Sequence, residues 1–166
     1  VCAPISSKIA KKLELPLMQG VNNEMQTAYT ASVDLKGNGV TTGISADDRH
    51  KTIKGLLDEN STRDDFNVPG HIFPLQAMNG GVLRRAGHTE AAIDLCKLSG
   101  HSEVAVICEI INKDGSMARM DDLIEFSKFH NIQIGTIKDL IQHRLDSSNP
   151  VEFVSKSKIP THYGEF

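Results

Sequence analysis

Tryptophan is absent from this 166-residue chain, and it has only two tyrosines and six phenylalanines. So sparse an aromatic set offers few platforms on which bases could stack, which argues against single-stranded nucleic acid as a ligand. Positive charge is also in short supply. Eighteen Lys and Arg against 21 Asp and Glu leave a net charge of -3, and no basic run marks a general nucleic-acid binder. No apolar stretch approaches the ~20 residues of a membrane-spanning helix, and no signal peptide is visible. Cys2, Cys96 and Cys108 are scattered along the chain. They fit reduced thiols better than a disulfide framework or a zinc cluster. What remains is ordinary, with 39% hydrophobic and 23% charged residues, in a chain long enough for one domain with its own core. The opening VCAPI is apolar and lacks an initiating Met, so it reads as the interior of a longer protein. The expected compartment is cytoplasmic, or plastid if a transit peptide precedes.

Strand and helix patterns interleave. LELPLM (13–18) reads as a helix end leading into an edge segment. In TAYTASVDL (27–35), Tyr29, Ala31, Val33 and Leu35 alternate with Ala28, Thr30, Ser32 and Asp34, as in a half-buried strand. KGNG (36–39) is a turn, and 40–42 is expected to resume extended structure. Ser45 and Asp48 form a capping-box pattern before the stripe Ile53, Leu56, Leu57. Residues 59–69 read as loop, and 72–77 and 81–83 as short strands. Thr89 suits the N-cap of a helix through Leu98, which Gly100 stops. VAVICEII, within 104–111, reads as a buried strand and NKDG (112–115) as a turn. Met120, Leu123, Ile124, Phe126 and Phe129 line one side of a helix. A short strand is expected at 132–134, then a second capping box from Thr136 and Asp139. The expected class is α/β or α+β, a single domain with a mixed sheet packed with helices.

The densest chemistry lies in GGVLRRAGHTE (80–90). Arginines suit phosphate oxygens, imidazole suits a metal or a proton, and a helix start suits an anion. Taken alone, His88 reads more simply as a histidine packed at a helix start. Its neighbours shift that balance, because Gly87 permits close approach of a ligand and Thr89 adds a hydroxyl. Arg84 and Arg85, if in a strand, face opposite ways, so one of them serves the site. Glu109 stands inside VAVICEII, where an unpartnered carboxylate is costly to bury. It reads about equally as half of a buried salt bridge, to Arg119 or Arg85, or as a general acid/base set by burial. His71, in PGHIFP, reads more simply as a turn histidine. Thr41-Thr42-Gly43 reads as a strand end, Asp47-Asp48-Arg49 as a solvated helix start, and Asp114-Gly115 as a turn.

Taken in order, LPLM (15–18), GVTTGISADDR (39–49), DDFNVPGHIFPL (64–75), GGVLRRAGHTEAAIDL (80–95), VICEIINKDGSMAR (106–119) and IGTIKDLI (134–141) resemble the 3,4-dihydroxy-2-butanone 4-phosphate synthases, lyases of riboflavin biosynthesis. The resemblance covers nearly all of residues 1–145. It implies conversion of ribulose 5-phosphate to 3,4-dihydroxy-2-butanone 4-phosphate and formate, with magnesium, or manganese in its place. It further implies that His88 is a metal ligand. Arg85, Ala86, Gly87, His88, Thr89 and Glu109 would contact substrate, and His71 and Glu109 would be essential to the acid/base steps. It also implies a homodimer. Magnesium prefers oxygen donors, so a lone His requires a carboxylate beside it. In the family that carboxylate comes from an acidic loop ending in Glu-Gly-Asp, upstream of where this chain starts, and the 166 residues alone are expected to be inactive. Val68 stands where many relatives have Arg, and Asp47 where alanine is commoner.

The closing KIPTHYGEF (158–166) resembles the opening of a GTP cyclohydrolase II domain. The expected organisation is therefore 1–145 lyase domain, 146–157 linker and 158–166 the start of that second domain. Two other readings stay open. One is a non-catalytic homologue serving as a dimerisation or scaffold module. The other, from the residues alone, is an unrelated metal-dependent sugar-phosphate isomerase or aldolase.

Overall fold

A computed structural model describes residues 1–20, 26–147 and 153–165. Its centre is a three-stranded mixed sheet of β1 (Cys2–Ile5), β2 (Val33–Leu35) and β3 (Phe66–Gln76), in the order β1-β3-β2. β1 runs parallel to β3, with Cys2 opposite Phe73 and Ile5 opposite Gln76. β2 runs antiparallel to β3 on its other side. Single bridges extend both outer edges, Tyr29 to Leu75 beside β3, and Ile107 and Val104 to Cys2 and Ile5 beside β1. Against this sheet stand α1 (Ser7–Lys12), α2 (Ala46–Leu57) and α3 (His88–Leu98), followed by α4 (Met120–His130) and α5 (Ile137–Ser147). A two-stranded hairpin, β4 (Pro160–Thr161) with β5 (Gly164–Glu165), ends the described chain. Mixed sheet and helices together make the expected α/β class.

Ala3, Ile5, Leu13, Leu15, Val33, Leu35, Leu56, Phe66, Ile72 and Val104 form the core. α2 lies close on β2 because position 55 is glycine, where an added Cβ would come within 2.8 Å of a Leu35 methyl. Thr52 of α2, fully buried, accepts a hydrogen bond from the Leu35 N–H at 3.0 Å, which satisfies a backbone donor inside the core.

Several expectations need correcting. In 27–35 only Val33–Leu35 is ladder-paired strand, and burial does not follow the expected alternation. Thr30, Ser32 and Asp34 are buried along with Val33 and Leu35, while Tyr29 is exposed. Each of the three polar residues has a polar partner in β3: the Thr30 hydroxyl donates to the Pro74 carbonyl, Ser32 accepts from the Gly70 N–H, and Asp34 accepts from His71. Residues 40–42 and 132–134 form no strand, and β3 starts at Phe66 inside the expected loop. Residues 81–83 are a 3-10 turn, so Arg84 and Arg85 leave a turn and do not alternate along a strand. α3 begins at His88 with Gly87 as its cap, leaving Thr89 buried inside the first turn. Asp48 is buried, not solvated, at 2% exposure. The Ser45 hydroxyl accepts from the Asp48 N–H as expected, but the Asp48 carboxylate turns to the loop before it. The Thr136 hydroxyl caps α5 as expected, accepting from the Asp139 N–H, but it donates to the Asp139 carboxylate itself, so the return bond is to the hydroxyl and not to the backbone.

The largest correction concerns 104–111. Only Val104 is buried there, and Val106, Cys108, Glu109, Ile110 and Ile111 are exposed. The segment is bridged to β1 only as far as Ile107, and among the described residues no strand lies beyond it. The expected linker at 146–157 lies partly outside the described residues.

Candidate functional site

β3 is interrupted where His71 sits. Val33 pairs with Ile72, but the next residue, Asp34, pairs with Asn67, so residues 68–71 bulge out against a single step of β2. The Val68–Pro69 peptide in this bulge is cis. Gly70 brings the bulge back against β2, where a Cβ would fall 2.1 Å from the Val33 carbonyl carbon, and only glycine fits. The Gly70 N–H donates to the Ser32 hydroxyl at 3.1 Å. His71 is then held twice by one carboxylate. Its backbone N–H donates to Asp34 Oδ1 at 2.9 Å, and its ring Nδ1 lies 2.7 Å from Asp34 Oδ2. The ring is partly exposed while the aspartate is buried.

The loop 41–43 leans on this pair. Asp48 gathers the loop by accepting from the Thr41 N–H at 3.1 Å, the Thr41 hydroxyl at 2.8 Å and the Gly43 N–H at 3.1 Å. Foremost the Thr41 hydroxyl, then these backbone donors, hold the Asp48 carboxyl below the usual carboxylate range, against the opposing effect of burial. Gly43 (φ +85) packs on the Asp34 carboxylate, since a Cβ there would lie 2.1 Å from Oδ2 and 2.7 Å from His71 Nδ1.

GGVLRRAGHTE folds around two buried carboxylates of α3. Glu90 accepts from the Met78 N–H at 2.9 Å and from the Arg85 guanidinium at 2.6 Å. Arg85 also reaches the Thr27 hydroxyl at 3.5 Å. Asp94 accepts from the Val82 N–H at 2.9 Å and pairs with Arg144 of α5 at 2.6 Å. Gly81 and Gly87 are small by necessity, because a Cβ at either would collide with Asp94 or with Arg85 at 2.1 Å. Arg85 is thus tied to Glu90, and Asp94 holds Val82 and Arg144; sequence reasoning left both carboxylates without a role. His88 stands exposed at the first residue of α3, and Thr89 is buried beside it.

His71 and Glu109 share one end of the sheet. β1 is parallel to β3 and pairs Cys2 with Phe73, while Ile107 bridges Cys2 from the antiparallel side. His71 lies two residues before Phe73 and Glu109 two after Ile107, so both extend past the start of β1. Tyr29 reaches the same region. Its phenol is held above the usual value first by the charge of Cys2, then by burial, by a hydrogen bond with Cys2 and by the charge of Glu109. Cys2 and Tyr29 therefore join Glu109, a grouping invisible in sequence because the three lie on separate segments. The burial expected to tune Glu109 is absent, since the side chain is exposed. No described hydrogen bond or ion pair joins His88 to His71 or Glu109. Among the described residues no three His, Cys, Asp or Glu side chains cluster as a metal site. His88 by itself does not complete a magnesium site, which takes several oxygen ligands. No described helix is long and apolar enough to cross a membrane.

This is a mixed α/β domain that presents a carboxylate-anchored histidine and a Cys–Tyr–Glu group at one sheet end. The family model described as 3,4-dihydroxy-2-butanone 4-phosphate synthase matches residues 1–143, and the chain belongs to that family. It is 50% identical, over all of its own length, to the riboflavin biosynthesis protein RibBA of Chlorobium phaeovibrioides, of which it spans 41%. The chain thus spans about two fifths of the length of that curated relative. Its structure matches RibBX of A. baumannii, a two-domain 3,4-dihydroxy-2-butanone 4-phosphate synthase, with a TM-score of 0.91 and 44% identity over 99% of this chain and 48% of that one. It also matches a 3,4-dihydroxy-2-butanone 4-phosphate synthase in complex with two magnesium ions, with a TM-score of 0.78 and 35% identity over 88% of this chain and 73% of that one.

Proposed function

We propose that the whole protein is a lyase of riboflavin biosynthesis that converts D-ribulose 5-phosphate to 3,4-dihydroxy-2-butanone 4-phosphate and formate. The observation that carries this reading is family membership across residues 1–143, in a chain whose register carries His71 and Glu109 past the same end of β1. In this reading His71 and Glu109 move protons to and from the sugar carbons and hydroxyls, a role that requires groups able to reach the reacting atoms. Residues 85–89 receive the phosphate at the start of α3, where free N–H groups and the helix dipole favour an anion. His88 contributes one ligand toward a divalent ion. Support for magnesium comes from the matched structure that contains two such ions. Such an ion would need oxygen donors in addition to His88.

The protein pairs with a second copy in this reading. The exposed Ile110, Ile111, Met120, Ile124, Phe129 and Ile132 are surface that such an interface would cover. Residues 158–166 open a GTP cyclohydrolase II domain, with 1–145 as the lyase domain.

The test is formate release from ribulose 5-phosphate by the full-length protein, with and without magnesium. His71→Ala and His88→Ala are each expected to lower kcat/KM at least about 100-fold, the lower end of what a positioned acid/base supplies. Undiminished turnover in His71→Ala would remove that residue from the chemistry. The 166 residues alone, with a single described metal donor, are expected to release no formate. Magnesium-dependent formate from that chain would show that these residues suffice to hold the ion.

A further inference from the structure

We propose that Asp34 is a positioning residue for the lyase reaction, fixing His71 in one tautomer so that Nε2 is the nitrogen that exchanges protons with substrate. The inference rests on the reading of His71 as an acid/base.

The geometry is that of a built support. A carboxylate only accepts hydrogen bonds. Asp34 takes the His71 backbone N–H on Oδ1 at 2.9 Å and faces Nδ1 with Oδ2 at 2.7 Å. The Nδ1 contact is therefore a ring N–H donating, which leaves the Nε2 lone pair to act as base. One side chain sets the position of the backbone and the rotation of the ring together. Asp34 is itself buried, and its lateral freedom is removed by Gly43, whose Cα approaches so closely that a methyl there would overlap Oδ2. Gly43 is held in turn by Asp48. The bulge at 68–71 exists in register only because Gly70 fits against Val33. Four separate sequence segments thus converge on a single imidazole that the core does not need, since its ring is partly exposed. A merely structural histidine–aspartate pair would gain little from presenting the ring outward. A general base gains directly, because rotation of the ring by a few tens of degrees would misdirect its lone pair.

The test uses the full-length protein with its metal. In the wild type, long-range ¹H–¹⁵N correlation spectra of the His71 ring, assigned by its loss in His71→Ala, are expected to show the neutral ring protonated at Nδ1. A ring protonated at Nε2 overturns the proposal, and this measurement needs no Asp34 variant to fold. Asp34→Asn keeps the shape and one acceptor while removing the charge. It is expected to lower kcat about 100-fold with KM within about twofold, and to shift the ring toward the Nε2–H form, at a melting temperature that shows the domain folded. Unchanged kcat and unchanged tautomer in a folded Asp34→Asn protein overturn the proposal. If His71→Ala retains full activity, the acid/base reading fails instead, and the tautomer measurement still reports whether Asp34 orients the ring.

Discussion

Phe66 and Phe129 are the same residue between polar sequence neighbours, yet one is 1% exposed and the other 84%. Phe66 opens β3 and sits in the core beside Leu35, whereas Phe129 ends α4 on an open face. The contrast extends to whole regions. From Cys2 to Val104 lie all the buried apolar residues of the described core, although Ile44, Leu95 and a few others there are exposed. From Val106 to Ile134 the same density of apolar residues finds few partners, and Val106, Ile110, Ile111, Met120, Ile124, Ile132 and Ile134 stand exposed. Hydrophobic periodicity reports the environment for which a segment was selected. A chain that spans 41% of its relative need not supply that environment itself.

The largest expected effect lies on the buried side of the contrast. Phe66→Ala should cost about 3–5 kcal/mol, the usual range for removing a fully buried ring, as read by chemical denaturation. A cost under about 1 kcal/mol would mean that the sheet half is not the stability centre that its burial indicates.

Part of this half was legible. Val33, Leu35, Leu56, Ile72 and the helices α2 and α3 follow from apolar spacing and stop signals, whereas Phe66 fell inside an expected loop. The α4 stripe was legible as well, although not that its face would be open. The polar side of the sheet was hidden, because Thr30, Ser32 and Asp34 look like solvent-facing residues of an alternating strand. Their partners lie 37 to 44 positions away in β3, whose bulge no local pattern announces. Glu90 and Asp94 were hidden for the same reason. A carboxylate in a helix reads as solvated until the turn that donates to it is known. His71 and His88 stood out through their neighbours, and their roles through resemblance, whereas Cys2 and Tyr29 carried no local signal at all.

Next in size are those two carboxylates, which anchor GGVLRRAGHTE to α3. Glu90→Gln removes the buried charge that faces Arg85, and Asp94→Asn the one that faces Arg144. Removing one member of a buried pair typically costs about 3–5 kcal/mol. Arg85 and Arg144 keep some solvent, so the low end, about 3 kcal/mol, is expected in urea denaturation. Equal stability of both variants would show that residues 78–85 are held by packing alone.

A smaller effect, and one that depends on pH, comes from Asp48. Its carboxyl is held below the usual range in the folded state, first by the Thr41 hydroxyl. Its contribution is therefore complete above the unfolded carboxyl value of about 4 and is lost as pH falls through the lower folded value. Measured against Asp48→Asn, the wild type should be more stable near neutrality, and the advantage should shrink as pH drops below about 4. An advantage that persists unchanged into strong acid would mean that Asp48 works through shape and not through charge.

The smallest effect belongs to the open face and sharpens the comparison most. In the 166-residue chain, Phe129→Ala should change stability by no more than about 0.5 kcal/mol, the ordinary range for a surface substitution. The ring is mostly in water already, and its one described ring partner is the neighbouring His130 at 4.8 Å. In the full-length protein the same substitution meets the surface for which the residue was selected. If that surface is covered, by a second copy or by further chain, the cost should rise to more than about 2 kcal/mol, or the dimer should weaken in sedimentation at low concentration. The difference between the two contexts measures how much of the apolar face is buried in the whole protein. A near-zero cost in both would show that 106–134 is open by design, and would remove this face from the proposed dimer.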